Sequence, residues 1–126
     1  MRSGRSSQAN IYAGLAMKYL TEAREYLNSG EYEKASESLW GSLASALNAL
    51  SITKHGKPLT SHQDFRLFAK QLSAELSDPE IYRAFREAEK LHANFYHAIL
   101  TTEDLIDLFP KIEQAIRKIL VLISGV

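Results

Sequence analysis

The side chains able to do chemistry crowd into one stretch of the 126-residue chain, SDPEIYRAFREAEKLHANFYHAIL, from Ser77 to Leu100. Read as a helix, at about 100° per residue, it buries a stripe of Ile81, Phe85, Ala88, His92, Phe95 and Ile99. Arg83, Arg86, Lys90, Asn94 and His97 fall on the opposite side. His92 therefore sits among aromatics on the apolar face. The ordinary fate of such a histidine is a core position satisfied by a hydrogen bond. The sharper reading is a titrating group at a subunit seam or beside a pocket. Glu89 and His92 form a Glu-x-x-His pair, the unit from which di-iron bundles are built. Those sites need a second copy and two more inward carboxylates; this chain holds one copy, so no metal is expected. His55 and His62 flank a loop within reach of a ligand, although loop histidines are usually just solvated. There is no Gly-rich phosphate loop, no serine nucleophile signature and no pair of buried carboxylates for acid–base work, so no cofactor follows.

The elements that must position these residues are all helical. The spacing of Tyr12, Leu15, Tyr19, Ala23, Tyr26 and Leu27 predicts a first helix from about Gln8 to Leu27, closed by Asn28-Ser29-Gly30. A second helix, roughly Glu31 to Ser51, follows at once and forms an antiparallel hairpin with the first. From Leu39 onward it is apolar on nearly every side, with only small polar residues (Ser38, Ser42, Ser45, Asn48) and Gly41 between. A helix without a charged face is normally surrounded, which makes it the centre of the bundle. Its small residues suit a close helix neighbour or a second subunit. Ile52 to Ser61, with Gly56 and Pro58, is the one substantial loop. Ser61 and Asp64 have capping-box spacing and open helix three at about His62, with Phe65, Phe68, Leu72 and Leu76 toward the core. Asp78-Pro79 opens helix four, which extends to about Leu100. Thr101 and Asp104 open helix five, where Pro110 interrupts an apolar pattern and predicts a kink or break near Leu108. No strand signal survives, so the expected fold is an all-α, up-and-down bundle of about five helices. Residues 1–7 are expected to form a disordered tail and 8–124 a single domain.

Bulk properties narrow the function. The chain is 45% hydrophobic and 24% charged, with fifteen basic residues balancing fifteen acidic ones. A protein that grips phosphate backbones indiscriminately usually carries a basic excess, so neutrality argues against a sequence-blind nucleic-acid coat. It also removes a barrier to self-association. The absence of cysteine excludes disulfides, a thiolate nucleophile and a Cys-built zinc site. The polar N-terminus has no apolar stretch behind it, and the longest apolar run, Ile119 to Ile123, is far too short to cross a bilayer. A soluble, cytoplasmic protein is expected.

Two stretches resemble known families. Leu20 to Leu50 (LTEAREYLNSGEYEKASESLWGSLASALNAL) is similar to the Ala…Leu…Gly-x-Tyr…Ala…Leu pattern of tetratricopeptide hairpins and of the first helices of HEPN domains. No further repeat copies follow, which argues against a repeat array. Ala88 to Tyr96 (AEKLHANFY) closely resembles the signature of PaREP-type archaeal proteins, a branch of the HEPN-like helical bundles. The resemblance spans about residues 8 to 122. It implies a bundle that commonly dimerises, in a superfamily whose members include RNA-cleaving toxins, nucleotide binders and partners of minimal nucleotidyltransferases. The toxins use an Arg-x(4–6)-His motif at the dimer interface, and Arg86-x(5)-His92 has that spacing. Six residues of unbroken helix turn through about 240°, however, so the two side chains leave the helix in different directions. Glu87, directly after the arginine, brings a like charge to a scissile phosphate.

Taken with what the resemblance implies, the favoured reading is a homodimeric HEPN-like binding module for a nucleotide or RNA. Arg86, Lys90 and His97 form a polar stripe toward an anionic ligand, with Asn94 and Tyr96 as further contacts; the commoner role of such a stripe is a solvated face. The enzyme alternative is a metal-independent ribonuclease, with His92 as general acid or base and Arg86 stabilising the pentavalent phosphate. The third is an adaptor whose groove receives a partner helix.

Overall fold

The computed structural model describes residues 3–95 and 102–123, with side chains placed for 7–93 and 102–123. Among the described residues five helices follow in order: α1 (Ser3–Asn28), α2 (Tyr32–His55), α3 (His62–Leu76), α4 (Pro79–Phe95) and α5 (Thr102–Ile123). The described residues contain no strand. The all-α reading therefore holds. The α1 helix begins before the expected Gln8, and the continuation of α4 toward Leu100 lies outside the described residues.

Local chemistry sets the ends. At the end of α1, Glu31 N–H donates to Tyr26 O at 2.9 Å and Gly30 N–H to Leu27 O at 3.3 Å, with Gly30 at φ 81°. That is the paired closure of a Schellman motif. The α2 helix runs one turn past the expected Ser51, because Ile52 is fully buried and Gly56, at φ 81°, closes the chain onto Ile52 O. Ser61 Oγ accepts from Asp64 N–H at 3.0 Å and caps α3. The Asp64 carboxylate accepts from Thr60 Oγ1 at 3.1 Å and is also held by backbone hydrogen bonds from Thr60 and Ser61. Asp78 Oδ1 accepts from Glu80 N–H at 3.1 Å at the start of α4. The α5 helix continues through Pro110, so no break occurs there. Pro110 and Ile106 lie on the exposed side, where water can take the Ile106 carbonyl that the missing proline N–H leaves unbonded.

As expected, α2 is the central helix and packs against all four others. Its residues Leu39, Leu43, Ala46, Leu47 and Leu50 meet Leu105, Phe109, Ile112, Ile116 and Ile119 of α5 and Ile81, Phe85 and Leu91 of α4 in one contiguous core. The buried line of α1 is Ala9, Ala16, Leu20 and Ala23, not the larger side chains, which are half-buried. Small residues on both sides let α1 and α2 approach, and Ser42 Oγ donates to Ala16 O at 2.7 Å across the seam. Ser42 is thus spent within the chain. In α3, Phe68 and Leu72 are buried as predicted, whereas Leu76 is 41% exposed.

The connection from α2 to α3 is unusual for a bundle. Ser51 Oγ donates to Lys57 O, and Asn48 Oδ1 accepts from Leu59 N–H, both at 2.7 Å. These bonds lead the loop back along α2. As a result His62, at the start of α3, stacks against Trp40 in the middle of α2, while Glu75 near the α3 end pairs with Lys54 near the α2 end. The α2 and α3 helices therefore run in the same sense, which departs from the expected up-and-down order at this one connection, and α4 returns antiparallel to α3.

Candidate functional site

The returned loop brings three helices together around one tryptophan. Trp40, half-buried on α2, stacks with His62 of α3 (centroids 5.6 Å, 28°) and with His92 of α4 (5.5 Å, 20°), and meets the fully buried Phe85 at a tilt (5.5 Å, 50°). Next to these rings lies Glu89, whose side chain is 19% exposed. Arg66 Nη2–H donates to it at 2.8 Å, His62 Nε2–H donates to the same oxygen, and Arg86 Nε approaches its other oxygen at 4.0 Å. His62 and Arg66 share a face of α3 through their four-residue spacing. Arg86 also lies over the Tyr82 ring at 5.8 Å.

The electrostatics follow from this arrangement. Burial pushes the Glu89 carboxyl upward, but the hydrogen bonds from Arg66 and His62, with their charges, more than offset it and hold its pKa below the usual glutamate value. Arg66 is correspondingly raised, chiefly by its hydrogen bond to Glu89. Glu89 is thus an anion at neutral pH, and two arginines and an imidazole converge on it. Both guanidiniums and His62 are about half exposed, and the guanidiniums keep further N–H groups toward solvent. An aromatic edge beside clustered cations can hold a planar ring and an attached anion.

The predicted site residues separate in the structure. His92 is half-buried at the margin of the stripe, where Leu91 and Ala84 take the core positions, and it packs as a ring on Trp40. Arg86 turns toward Glu89 and Tyr82. The 240° between them is about 120° the short way round, with Glu89 midway. Lys90 lies 3.9 Å from Glu87 and Arg83 2.7 Å from Glu80, so the anticipated stripe is occupied by pairs along the helix. The Asn94 side chain, Tyr96 and His97 lie outside the described residues. No group of three or more metal-ligating side chains occurs among the described residues. Sequence reasoning placed Trp40 among the apolar residues of α2, left His62 as a loop histidine and did not single out Arg66. The one available signal was the four-residue spacing of His62 and Arg66.

The described part of the AEKLHANFY segment, Ala88 to Phe95, lies on α4 of an all-α bundle. The chain belongs to the archaeal PaREP1/PaREP8 family, whose model matches residues 11–118. Its fold is similar to a crystal structure of a protein from Sulfolobus solfataricus, with a TM-score of 0.67 at 21% identity, covering 88% of this chain and 94% of that one. No curated protein matches the chain. Among the described residues no helix is long and apolar enough to cross a membrane.

Proposed function

We propose that the chain is a HEPN-like, cytoplasmic, homodimeric binding module that takes an anionic ligand of the nucleotide or RNA class at the Trp40 surface. The observation that carries this is the convergence of Arg66, Arg86 and His62 on Glu89 beside stacked rings. A base can lie against the exposed edge of Trp40 or His62, while phosphate oxygens take the unspent N–H groups of the arginines. Lys90, Asn94, Tyr96 and His97 are further ligand contacts proposed on sequence grounds, and a nucleotidyltransferase is a candidate protein partner on the same grounds.

Trp40 is the sole tryptophan, so its emission reports on this surface directly. Titration with ATP and with a single-stranded oligoribonucleotide should shift that emission. Arg66→Ala and Arg86→Ala should each weaken binding and lower the salt slope for the oligomer by about one. Unchanged emission together with no binding to either probe at low salt would sink the proposal.

One observation favours the ribonuclease as a second reading: Arg86 and His92 both flank Glu89 on one side of α4. It requires His92→Ala to abolish RNA cleavage in a protein that stays folded.

A further inference from the structure

We propose that the outer face of α5 seats a second copy of this chain, the two α5 helices lying antiparallel about a two-fold axis between Glu113 and Gln114. The inference rests on the homodimer reading above and gives that dimer its interface.

The α5 helix buries one side against α2 and α4 and turns the other outward. Along the outward side run Ile106, 49% exposed, Pro110 and Val121, 62% exposed. A shallow groove follows the same side, lined by Pro110, Glu113, Gln114, Arg117, Lys118 and Val121, all from α5. Ile106 and Val121 stand about four turns and about 22 Å apart on one line of the helix. Apolar area left in water at both ends of one face is stabilised when covered, by about 25 cal/mol per Å².

The symmetry of the face identifies the occupant. A two-fold axis between Glu113 and Gln114 sets Ile106 against the partner's Val121, and the same contact recurs on the other side of the axis. In that register Asp107 comes within a turn of the partner's Arg117, and Lys111 within a turn of the partner's Glu113. The charges are segregated along the helix to suit this. Before the axis stand Glu103, Asp104, Asp107 and Glu113 with one cation, Lys111, and after it stand Arg117 and Lys118, so the first half is net acidic and the second net basic. Antiparallel docking sets the acidic half on the basic half, whereas parallel docking would set like on like. Arg117 already pairs with Glu113 along its own helix at 2.9 Å, so the cross-copy contacts would extend a standing network. Four turns of one helix per copy make a small interface, and a dissociation constant in the micromolar range is expected.

The test is the mass of the full chain by light scattering from roughly 1 to 100 µM, with helicity checked by circular dichroism. The wild type should dimerise in that range. Val121→Asp should weaken the dimer at least about tenfold, and Asp107→Arg and Arg117→Asp should each weaken it similarly. Asp107→Arg combined with Arg117→Asp should restore it, because opposite charges meet again with their places exchanged. These exchanges are at exposed positions, so they remain decisive even if Val121→Asp fails to fold. A dimer that all three single changes leave intact, or that the double change fails to restore, overturns this face and leaves the homodimer reading standing. A wild type that stays monomeric throughout overturns both.

Discussion

The His92 imidazole lies 20° from parallel to the Trp40 indole, with ring centroids 5.5 Å apart, so α4 meets α2 through a stacked pair. The sequence offered His92 either as a core histidine satisfied by a hydrogen bond or as a titrating group at a seam or pocket. The structure makes it a half-buried ring on Trp40, and substitution separates its packing from any chemistry. Packing needs a flat ring, and catalysis needs a proton-carrying nitrogen.

His92→Phe should therefore keep the melting temperature within a few degrees of wild type and preserve the near-ultraviolet dichroism of Trp40. His92→Ala should lose roughly 1 kcal/mol from the missing ring contact alone, before any cavity term. A phenylalanine variant as unstable as the alanine variant would show that the nitrogens, and not the ring, matter to the fold. If the chain cleaves RNA through His92, both variants should lose cleavage equally, whatever their stability.

Acid should weaken the fold through Glu89 and Asp78. Burial works against the Glu89 anion, but the Arg66 and His62 hydrogen bonds win; Asp78 is lowered chiefly by its hydrogen bond to Lys118 of α5. In both cases the folded-state pKa lies below the ordinary value, 4.5 for glutamate and 3.8 for aspartate, so the unfolded chain takes up protons first as the pH falls. Their contribution is fully present above those values and disappears as the pH drops through the lowered ones. The urea midpoint should be level with respect to these two groups from about pH 5 to 7 and fall below about pH 4. Glu89→Gln should make that fall shallower. An equally steep fall in the variant would remove Glu89 from the account.

How far the sequence showed this structure depends on the range of each interaction. Gly30, Gly56, Ser61 and Asp78 end or start helices through bonds to residues two to five positions away, and local residue types encode those bonds. The core stripes of α2 and α5 were legible for the same reason, since three-four spacing records which side faces inward. Leu76 and His92 were misplaced because each sits at a margin of its stripe, where rotation by a fraction of a turn decides exposure. The cluster around Glu89 was not legible. It depends on the loop returning along α2, and that course is held by Asn48 and Ser51 bonding loop backbone, which no periodicity records. Without that return, Trp40 and His62 have no reason to be read together.

Ser77 offers a direct test of backbone strain. It closes α3 at φ 52°, the one non-glycine residue with positive φ among the described residues. Asp78 N–H donates to Ser73 O at 2.9 Å and Ser77 N–H to Ala74 O at 3.2 Å, the same paired closure that Gly30 makes at the end of α1. A side chain in the left-handed region costs roughly 1 kcal/mol, and glycine avoids it. Ser77→Gly should therefore stabilise the protein by about 0.5–1 kcal/mol in urea denaturation, after the greater freedom of glycine in the unfolded chain is deducted. A loss of stability would mean that the Ser77 side chain makes a contact worth more than the strain.

Gly41 poses the opposite question in the middle of α2. A glycine inside a helix ordinarily costs about 0.5–1 kcal/mol relative to alanine, so its presence calls for a neighbour that needs the space. That neighbour is Tyr19 of α1: a Cβ at position 41 would meet the ring at 3.4 Å, with the next ring atoms at 3.6 and 3.7 Å. These are ordinary van der Waals separations at the tight end. Tyr19 is also half-buried and has room to yield by a few tenths of an ångström. Gly41→Ala should thus be neutral to stabilising, by up to about 1 kcal/mol, because the helix term exceeds the small cost of moving the ring. Gly41→Val should be clearly destabilising, by about 1–3 kcal/mol, since its branches must push Tyr19 and open the seam that the Ser42–Ala16 bond holds shut. Thermal melts of the two variants separate the effects. If alanine is as damaging as valine, α1 and α2 have no slack at this point and Gly41 is fixed by packing alone.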